Sequence, residues 1–440
     1  MSIRNLFTEK MILPFSDVIS SKNISSSLKF LRESQKWTAD EIKNFQNKKL
    51  RQLINHSYNN VPYYNELFKK ISLLPSDIKT IEDLQKLPIL TKKSIKENIA
   101  NGKLLASNFN KRVFLKNSSS GSTGEPLQFY ETATSYGMNI AANLRGWYGM
   151  GYRLGDCYVK LSVNPRSSKV KRIQDYVNNC LYFSSKGVND HDIIRFLELI
   201  RKWKPKILRG YPSTLSVIAN YIINNNIEIT GISAINTTGE ILFDEMKISM
   251  EKAFCTKVFD SYSGEGGATM FQNNEGVYHI AHEYAITELI NVSKGSLNTS
   301  IGEVITTDLW NYANPFIRYA VNDKVEVYKS NDTKPMIAKK ILGRNVDMLK
   351  TPKGKVLIVH FFTGYFEWIS TVDQFQIRQD SPKDFILSLV VNGSFTSFEE
   401  KKIFDYVQNY IGEDAILHLN ITKEIPVQKN GKTRFMLKNF

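Results

Sequence analysis

The sequence predicts an α/β protein. It has a large N-terminal portion with parallel sheets, a smaller antiparallel or barrel subdomain within it, and a small α+β module at the C-terminal end. Three observations lead there. Between Gly155 and Gly210, strand-like pieces (Cys157–Val163 and Lys206–Leu208) alternate with a helical stretch (Asp190–Trp203), as in a sheet layered with crossover helices. From Tyr284 the strands become shorter and more alternating, at Tyr284–Asn291, Glu303–Thr306 and Lys324–Tyr328, which is antiparallel in character. After Gly343 a stretch of about ninety residues reads strand, strand, helix, strand, at Asp373–Ile377, Asp384–Val391, Ser397–Tyr410 and Ala415–Ile421.

The bulk numbers agree. A chain of 440 residues exceeds one ordinary core, so two or three domains are expected. Hydrophobic content of 42% and aromatic content of 12% exclude a disordered chain. No apolar run approaches the ~18 residues a membrane helix needs. Met11-Ile12-Leu13-Pro14-Phe15 is too short and broken for a secretion signal, so a cytoplasmic protein is expected. The formal net charge of +15 comes mostly from scattered lysines, which solvated helix faces explain. Attraction to nucleotide, phospholipid surface or nucleic acid is the functional alternative. No RNA-binding aromatic motif or zinc-finger spacing supports nucleic acid. Cys157, Cys180 and Cys255 form no metal-spaced pair, and reduced, inert thiols are expected.

The first hundred residues read as helices separated by prolines. Asp40 through Ile54 carries apolar residues at helical spacing after a start at Thr38 or Asp40. Breaks follow at Asn60-Val61-Pro62-Tyr63-Tyr64, at Ser76-Asp77-Ile78 and at Leu84-Gln85-Lys86-Leu87-Pro88-Ile89-Leu90-Thr91. Ser118 to Pro126 (Ser-Ser-Ser-Gly-Ser-Thr-Gly-Glu-Pro) stands between extended Arg112–Leu115 and strand-like Leu127–Tyr130. Its glycines let the backbone turn N–H groups toward one point, and its hydroxyls add donors, which makes an anion-binding nest. A serine linker is the plain alternative, but this stretch is short, bounded by strands and stiffened by Pro126. No Lys-Ser/Thr pair follows its last glycine, so it is not a Walker loop.

Ala133–Met150 reads as a helix, and Gly210-Tyr211-Pro212-Ser213-Thr214 opens another. Ala234–Thr237 and Val258–Asp260 read as strands that exit into Thr238-Gly239-Glu240 and Ser261-Tyr262-Ser263-Gly264-Glu265. Open α/β sheets bind ligands beyond the carboxyl ends of their strands, so a nucleotide is expected at these exits.

Taken in order, Ser119–Pro126, Thr238-Gly239-Glu240, Tyr262–Glu265, Arg318–Asp323, Gly343-Arg344-x-x-Asp347 and Gly431-Lys432 resemble the adenylate-forming superfamily over nearly the whole chain. The branch resembled is that of phenylacetate–CoA ligase and the ligases of capsule and surface-polysaccharide biosynthesis. The lead-in, with its Val-Pro-Tyr-Tyr and Leu-Pro-Ile-Leu-Thr-Lys, shares that branch's pattern. The resemblance implies three regions: a helical lead-in over 1–110, an adenylate-forming core over 111–342, and a mobile C-terminal domain over 343–440.

The same resemblance implies the site. Ser119, Ser120, Gly121, Ser122, Thr123 and Gly124 would hold the β- and γ-phosphates of ATP, with Ser122 and Thr123 as hydroxyl contacts. Gly239, Glu240, Tyr262 and Ser263 would line the nucleotide, with Tyr262 against adenine. Asp323 would accept both ribose hydroxyls, and Arg344 would add a ribose or phosphate contact. Glu265 would bind Mg²⁺, with Thr123 as a further metal ligand. Lys432 would stabilise the adenylation transition state, and Asp347 would be the hinge. Coenzyme A is the implied acceptor, with an amine as the alternative. A carboxylic or amino acid is the implied substrate, and a homodimer is admitted.

Two departures stand out. The family's Tyr-Gly-x-x-Glu is Tyr262-Ser263-Gly264-Glu265 here, one residue shorter, and its Gly-Asp is Asn322-Asp323. Asp323 would otherwise read as a turn aspartate. His279 and His282 make an His-x-x-His pair, which by itself is a weak zinc signal. A non-catalytic nucleotide-binding scaffold is the rival class, and Lys432 and Glu265 argue against it because binding alone requires neither.

Overall fold

The structure is a computed structural model. It describes residues 2–440 apart from 109–113, 119–126, 163–167, 186–189, 329–334, 345–347, 354–355, 359–361, 363–364, 367–368, 370 and 426–434. The chain divides into two compact units, with the boundary between Leu342 and Gly343.

Helices α1 (Ile3–Phe7), α2 (Leu13–Ser20), α3 (Ile24–Ser34), α4 (Ala39–Asn60), α5 (Pro62–Lys70) and α6 (Lys92–Ala100) lead into the first unit. Thr38 starts α4 through a reciprocal capping box with Glu41, a device worth about 1 kcal/mol. Pro62 opens α5 as its first residue, where a missing N–H costs nothing. Leu50, Leu53, Tyr64 and Phe68 of these helices are buried in one core with Val304, Tyr319 and Val325 of the antiparallel strands.

The sheet behind them has eleven strands. In chain order these are β3 (Tyr158–Ser162), β4 (Cys180–Ser184), β5 (Ile207–Gly210), β6 (Ala234–Thr238), β7 (Val258–Ser263), β8 (Thr269–Gln272), β9 (Tyr278–Ile280), β10 (Ala285–Lys294), β11 (Thr299–Asp308), β12 (Tyr319–Tyr328) and β13 (Ile337–Arg344). Their spatial order is β10-β11-β12-β13-β9-β8-β7-β6-β5-β3-β4. Strands β3 to β7 pair in parallel, and β7 to β9 pair antiparallel. The antiparallel section expected from Tyr284 onward is therefore hydrogen-bonded edge to edge with the parallel one. The strand pair β1 (Leu115–Ser118) and β2 (Gln128–Glu131) stands apart.

Strand alternation sorts the parallel strands onto two faces. Leu208, Ile235 and Val258 pack against α9 (Asp190–Trp203), α10 (Pro212–Asn224) and α11 (Asp244–Phe254). Their neighbours Ile207, Ala234 and Phe259 pack against Trp147 and Met150 at the end of α7 (Ala133–Gly149). Both faces are thus covered, as parallel sheets require. The helix α8 (Lys169–Val177) lies between β3 and β4 in sequence.

In the second unit, β16 (Val372–Gln379), β17 (Asp384–Val391), β18 (Ile416–Ile421) and β19 (Met436–Lys438) form a sheet of order β18-β17-β16-β19. A short pair, β14 (Met348–Lys350) and β15 (Val356–Ile358), precedes it. Helix α12 (Ser397–Ile411) contributes Ile403, Val407 and Ile411 to a core shared with Phe385 and Leu387. This is the strand, strand, helix, strand order read from the sequence, with one further strand.

Candidate active site

Strands β6 and β7 run in parallel with Thr237 opposite Asp260, and a buried polar brace locks that register. Thr237 Oγ1 donates to Asp260 at 2.6 Å, and Tyr278 Oη donates to the other carboxylate oxygen at 2.7 Å. Asn236 Nδ2 reaches Ser261 Oγ at 2.8 Å. Burial pushes the Asp260 carboxyl up to about 6, although the Thr237 and Tyr278 hydrogen bonds favour its charged form. The brace sets the two strand exits side by side.

Beyond β6, Gly239 adopts φ +81, and a Cβ there would meet the Tyr211 ring at 3.0 Å. The backbone path and the close aromatic both require glycine. Glu240 follows, half-buried. At the end of β7, Ser263 is exposed, and the chain then turns back so that Gly264 N–H donates to Ala268 O at 2.7 Å. Gly266 holds φ +71 with its α-carbon against Thr306 and Tyr319, which lets this turn seat on the antiparallel strands. Glu265 lies on the turn, half-buried. Among the described residues its carboxylate has no hydrogen-bond or ion-pair partner.

Asp323 comes from β12 and not from a turn. Glu303 pairs with Lys324 and Ile305 with Ala320, so β12 carries extra residues at Val321–Asp323, a bulge. Asn322 takes φ +67 within it. Asparagine tolerates the left-handed region better than most side chains, which fits Asn322 to this position. The bulge turns Asp323 inward, where it is 9% exposed and Tyr262 Oη donates to its Oδ2 at 2.5 Å. Residues 61 apart in sequence thereby meet.

The approach to β12 is clamped by the lead-in. Arg318, with φ +53, is buried and pairs with Glu288 at 3.1 Å. Its Nη1 donates to Leu87 O at 2.6 Å. Leu90 exchanges backbone hydrogen bonds with Arg318 and Ala320, and Tyr64 Oη donates to Pro315 O while accepting from Ile317 N–H. The Leu-Pro-Ile-Leu and Val-Pro-Tyr-Tyr segments thus hold the strand that carries Asp323.

The stems of the Ser/Gly loop are described too. Ser118 pairs with Gln128, and Asn314 and Asn311 bond the backbone of Tyr130 at 2.6 and 3.0 Å. Glu131 ends β2 and is buried with Asp308 in its field. Burial and the Asp308 charge push Glu131 up to about 7, and burial pushes Asp308 up to about 6.

Of the expected residues, the structure brings Tyr262 and Asp323 into contact, and Glu265 follows three residues after Tyr262 on the turn beyond β7. Ser119, Ser120, Gly121, Ser122, Thr123, Gly124, Asp347 and Lys432 lie outside the described residues, as does the Arg344 side chain. His282 Nε2 lies 2.8 Å from Met336 O, while His279 Nε2 lies 3.1 Å from Asn273 Nδ2 and its ring stacks on Phe271. Among the described residues no cluster of three His, Cys, Asp or Glu side chains could hold a metal. Tyr211 and Asp260 escaped the sequence reading. Their signals were a tyrosine beyond a strand-ending glycine and an acid inside an apolar strand.

Comparison with known proteins shows what the chain resembles. Residues 349–439 match the CapK C-terminal domain. Protein CapK of Staphylococcus aureus is 27% identical over 435 residues, spanning 95% of this chain and 93% of that one. The phenylacetate-coenzyme A ligase of Pseudomonas putida is 25% identical, over 71% of this chain and 72% of that one. A crystal structure of 2-hydroxyisobutyryl-CoA ligase in the postadenylation state, in complex with R3-HIB-AMP, superposes with a TM-score of 0.62 at 16% identity. The match covers 89% of this chain and 88% of that one. In sequence the chain is similar to CapK and to the phenylacetate-coenzyme A ligases, and its fold is that of the adenylate-forming CoA ligases.

Proposed function

We propose that this chain is an ATP- and Mg²⁺-dependent carboxylate-activating ligase that transfers its acyl group to coenzyme A. In the first step a carboxylate oxygen attacks the α-phosphorus of ATP, an O–P bond forms, and pyrophosphate leaves. In the second the thiol of coenzyme A attacks the acyl carbon, AMP leaves, and the thiol proton passes to solvent. The observation that carries this reading is the contact of Tyr262 with Asp323 at the carboxyl end of β7, with Glu265 on the turn that follows. The named ligases among its relatives support it.

A carboxylate is already a nucleophile at neutral pH, so no general base is required. What the site must do is bring two anions together and spread phosphoryl charge. Asp323 would accept the ribose hydroxyls. A carboxylate can accept about four hydrogen bonds, and Tyr262 donates one of them. The Glu265 carboxylate, with no described partner, fits a hard divalent cation, and Mg²⁺ held there with Thr123 would neutralise phosphate charge. The Ser119–Gly124 loop would hold the β- and γ-phosphates, and Lys432 would stabilise the transition state. Surface-polysaccharide biosynthesis, in the cytoplasm, belongs to the same proposal through the resemblance of the lead-in and the C-terminal module.

The test is Mg²⁺-dependent exchange of pyrophosphate into ATP across a panel of carboxylic and amino acids. Coenzyme A and amines are then added separately to the adenylate formed. Exchange with one acid and discharge by coenzyme A is the expected result. Discharge by an amine alone makes the enzyme an amide-forming ligase. ATP binding with no exchange across the panel returns the scaffold reading.

A further inference from the structure

The helices that open the chain leave an apolar stripe in solvent. Along α1, the π-helical turn Thr8–Ile12 and α2, Asn5, Thr8 and Leu13 face inward, while Ile3, Phe7, Met11, Phe15, Val18 and Ile19 face out. Phe7 is 56% exposed, Phe15 68% and Val18 81%. Exposed aromatic and aliphatic side chains repeating at helical spacing are rare on a solvated surface and mark a docking face.

A second helix extends that face. Asn5 Nδ2 donates to Leu154 O and Asp156 Oδ1, both at 2.9 Å, and Asn179, just beyond α8, donates to Gly155 O at 2.9 Å. A Cβ at Gly155 would lie 2.8 Å from Thr8 Oγ1, so the opening helices and the end of α8 meet on one turn. On α8, Ile173 is 63% exposed and Tyr176 82%.

Charge decides what this face fits. Arg4 and Lys10 are exposed on the opening helices, and Lys169, Lys171 and Arg172 on α8. No exposed position in 3–20 or 169–177 is acidic. The acids of these helices are turned away: Glu9 pairs with Arg32 at 3.3 Å, Asp17 accepts the N–H groups of Ile24 and Ser25, and Asp175 is half-buried. A second copy docked by two-fold symmetry would bring these basic groups against themselves. An anionic bilayer complements both the charge and the apolar stripe. We propose that α1, α2 and α8 form a peripheral docking face for an anionic phospholipid surface, the apolar side chains entering the headgroup boundary and the basic ones meeting lipid phosphate.

Co-sedimentation with vesicles of phosphatidylglycerol and phosphatidylcholine, against vesicles of phosphatidylcholine alone, tests this, with size-exclusion light scattering in parallel. The full chain should bind only the anionic vesicles, and more weakly as salt rises. Phe7→Ser with Phe15→Ser should weaken binding by about tenfold or more. Lys169→Gln and Lys171→Gln should each cost about fivefold. The substituted side chains are exposed, so melting temperatures should stay at the parent value. If the phenylalanine variant melts early, the lysine variants decide the matter. Absence of binding to anionic vesicles, or variants that bind as the parent does, would overturn the proposal. So would a dimer that the phenylalanine variant converts to monomer without any vesicle binding, which makes the face a contact between copies.

Discussion

Tyr262 donates its phenolic hydrogen to Asp323 Oδ2 at 2.5 Å, tying the exit of the last parallel strand to a bulge in an antiparallel one. The bond orients the carboxylate proposed to read the ribose. Tyr262→Phe removes a hydrogen bond to a charged group, a loss on the order of 1.5–3 kcal/mol. The KM for ATP in pyrophosphate exchange should rise by roughly tenfold or more, with kcat affected less, and Asp323→Asn should be worse. An unchanged KM in Tyr262→Phe would mean the pair does not organise the nucleotide site.

Asn322 occupies a left-handed conformation at φ +67. Asn322→Gly should be nearly neutral in melting temperature and activity. Asn322→Val should destabilise by about 1–2 kcal/mol, because a β-branched side chain is strained there. It should also raise the KM for ATP by displacing Asp323. Equal melting curves for the two variants would show that the bulge relaxes freely.

Glu131 carries a pH signature of inverted sign. Its folded value of about 7 lies above the ordinary 4.5, so the folded chain binds the proton more tightly than the unfolded one. The corresponding stability is fully present below about 4.5 and is lost as pH rises through about 7, a change of about 3 kcal/mol. Asp308 and Asp260 act in the same direction up to about 6. Denaturant unfolding of Glu131→Gln between pH 5 and 8 should show a flatter profile than the parent. A parent profile that rises over this window would contradict the assignment.

Glu265 and Lys432 separate two roles within the proposed first step. Glu265→Gln should raise the Mg²⁺ concentration needed for half-maximal exchange. Lys432→Ala should slow exchange by about 10²–10³ while leaving ATP affinity intact. A Lys432→Ala enzyme within threefold of the parent would remove this lysine from the site.

Adenylation and acyl transfer make conflicting demands on one site, and rotation at Asp347 is the proposed resolution. Proline there restricts φ to about −65°. Asp347→Pro should still form the adenylate in a single turnover but fail to discharge it when coenzyme A is added. Transfer at the parent rate would exclude rotation about this residue as the route to the second step.

The sequence by itself determined the elements and their chemistry. Strand alternation divides Ile207 from Leu208 and Val258 from Phe259 between two faces, and Thr38 caps its helix three residues from Glu41. Each of these depends on neighbours within a turn or a strand, which is why the sheet layers, the prolines that break the lead-in and the ordered motifs could be read directly. Tertiary structure decided what lies opposite what. A turn was the plain alternative for Asp323, whereas a register shift of β12 against β11 sets it in a bulge. Arg318 stood in a ligand-binding motif, yet its guanidinium is spent on Glu288 and Leu87. Phe7 and Phe15 are apolar residues that local sequence does not place inside or out, and packing of the opposite helix face leaves them in solvent. Long-range register and burial select one pairing among many that local propensity allows, because the energy that selects it comes from side chains distant in sequence.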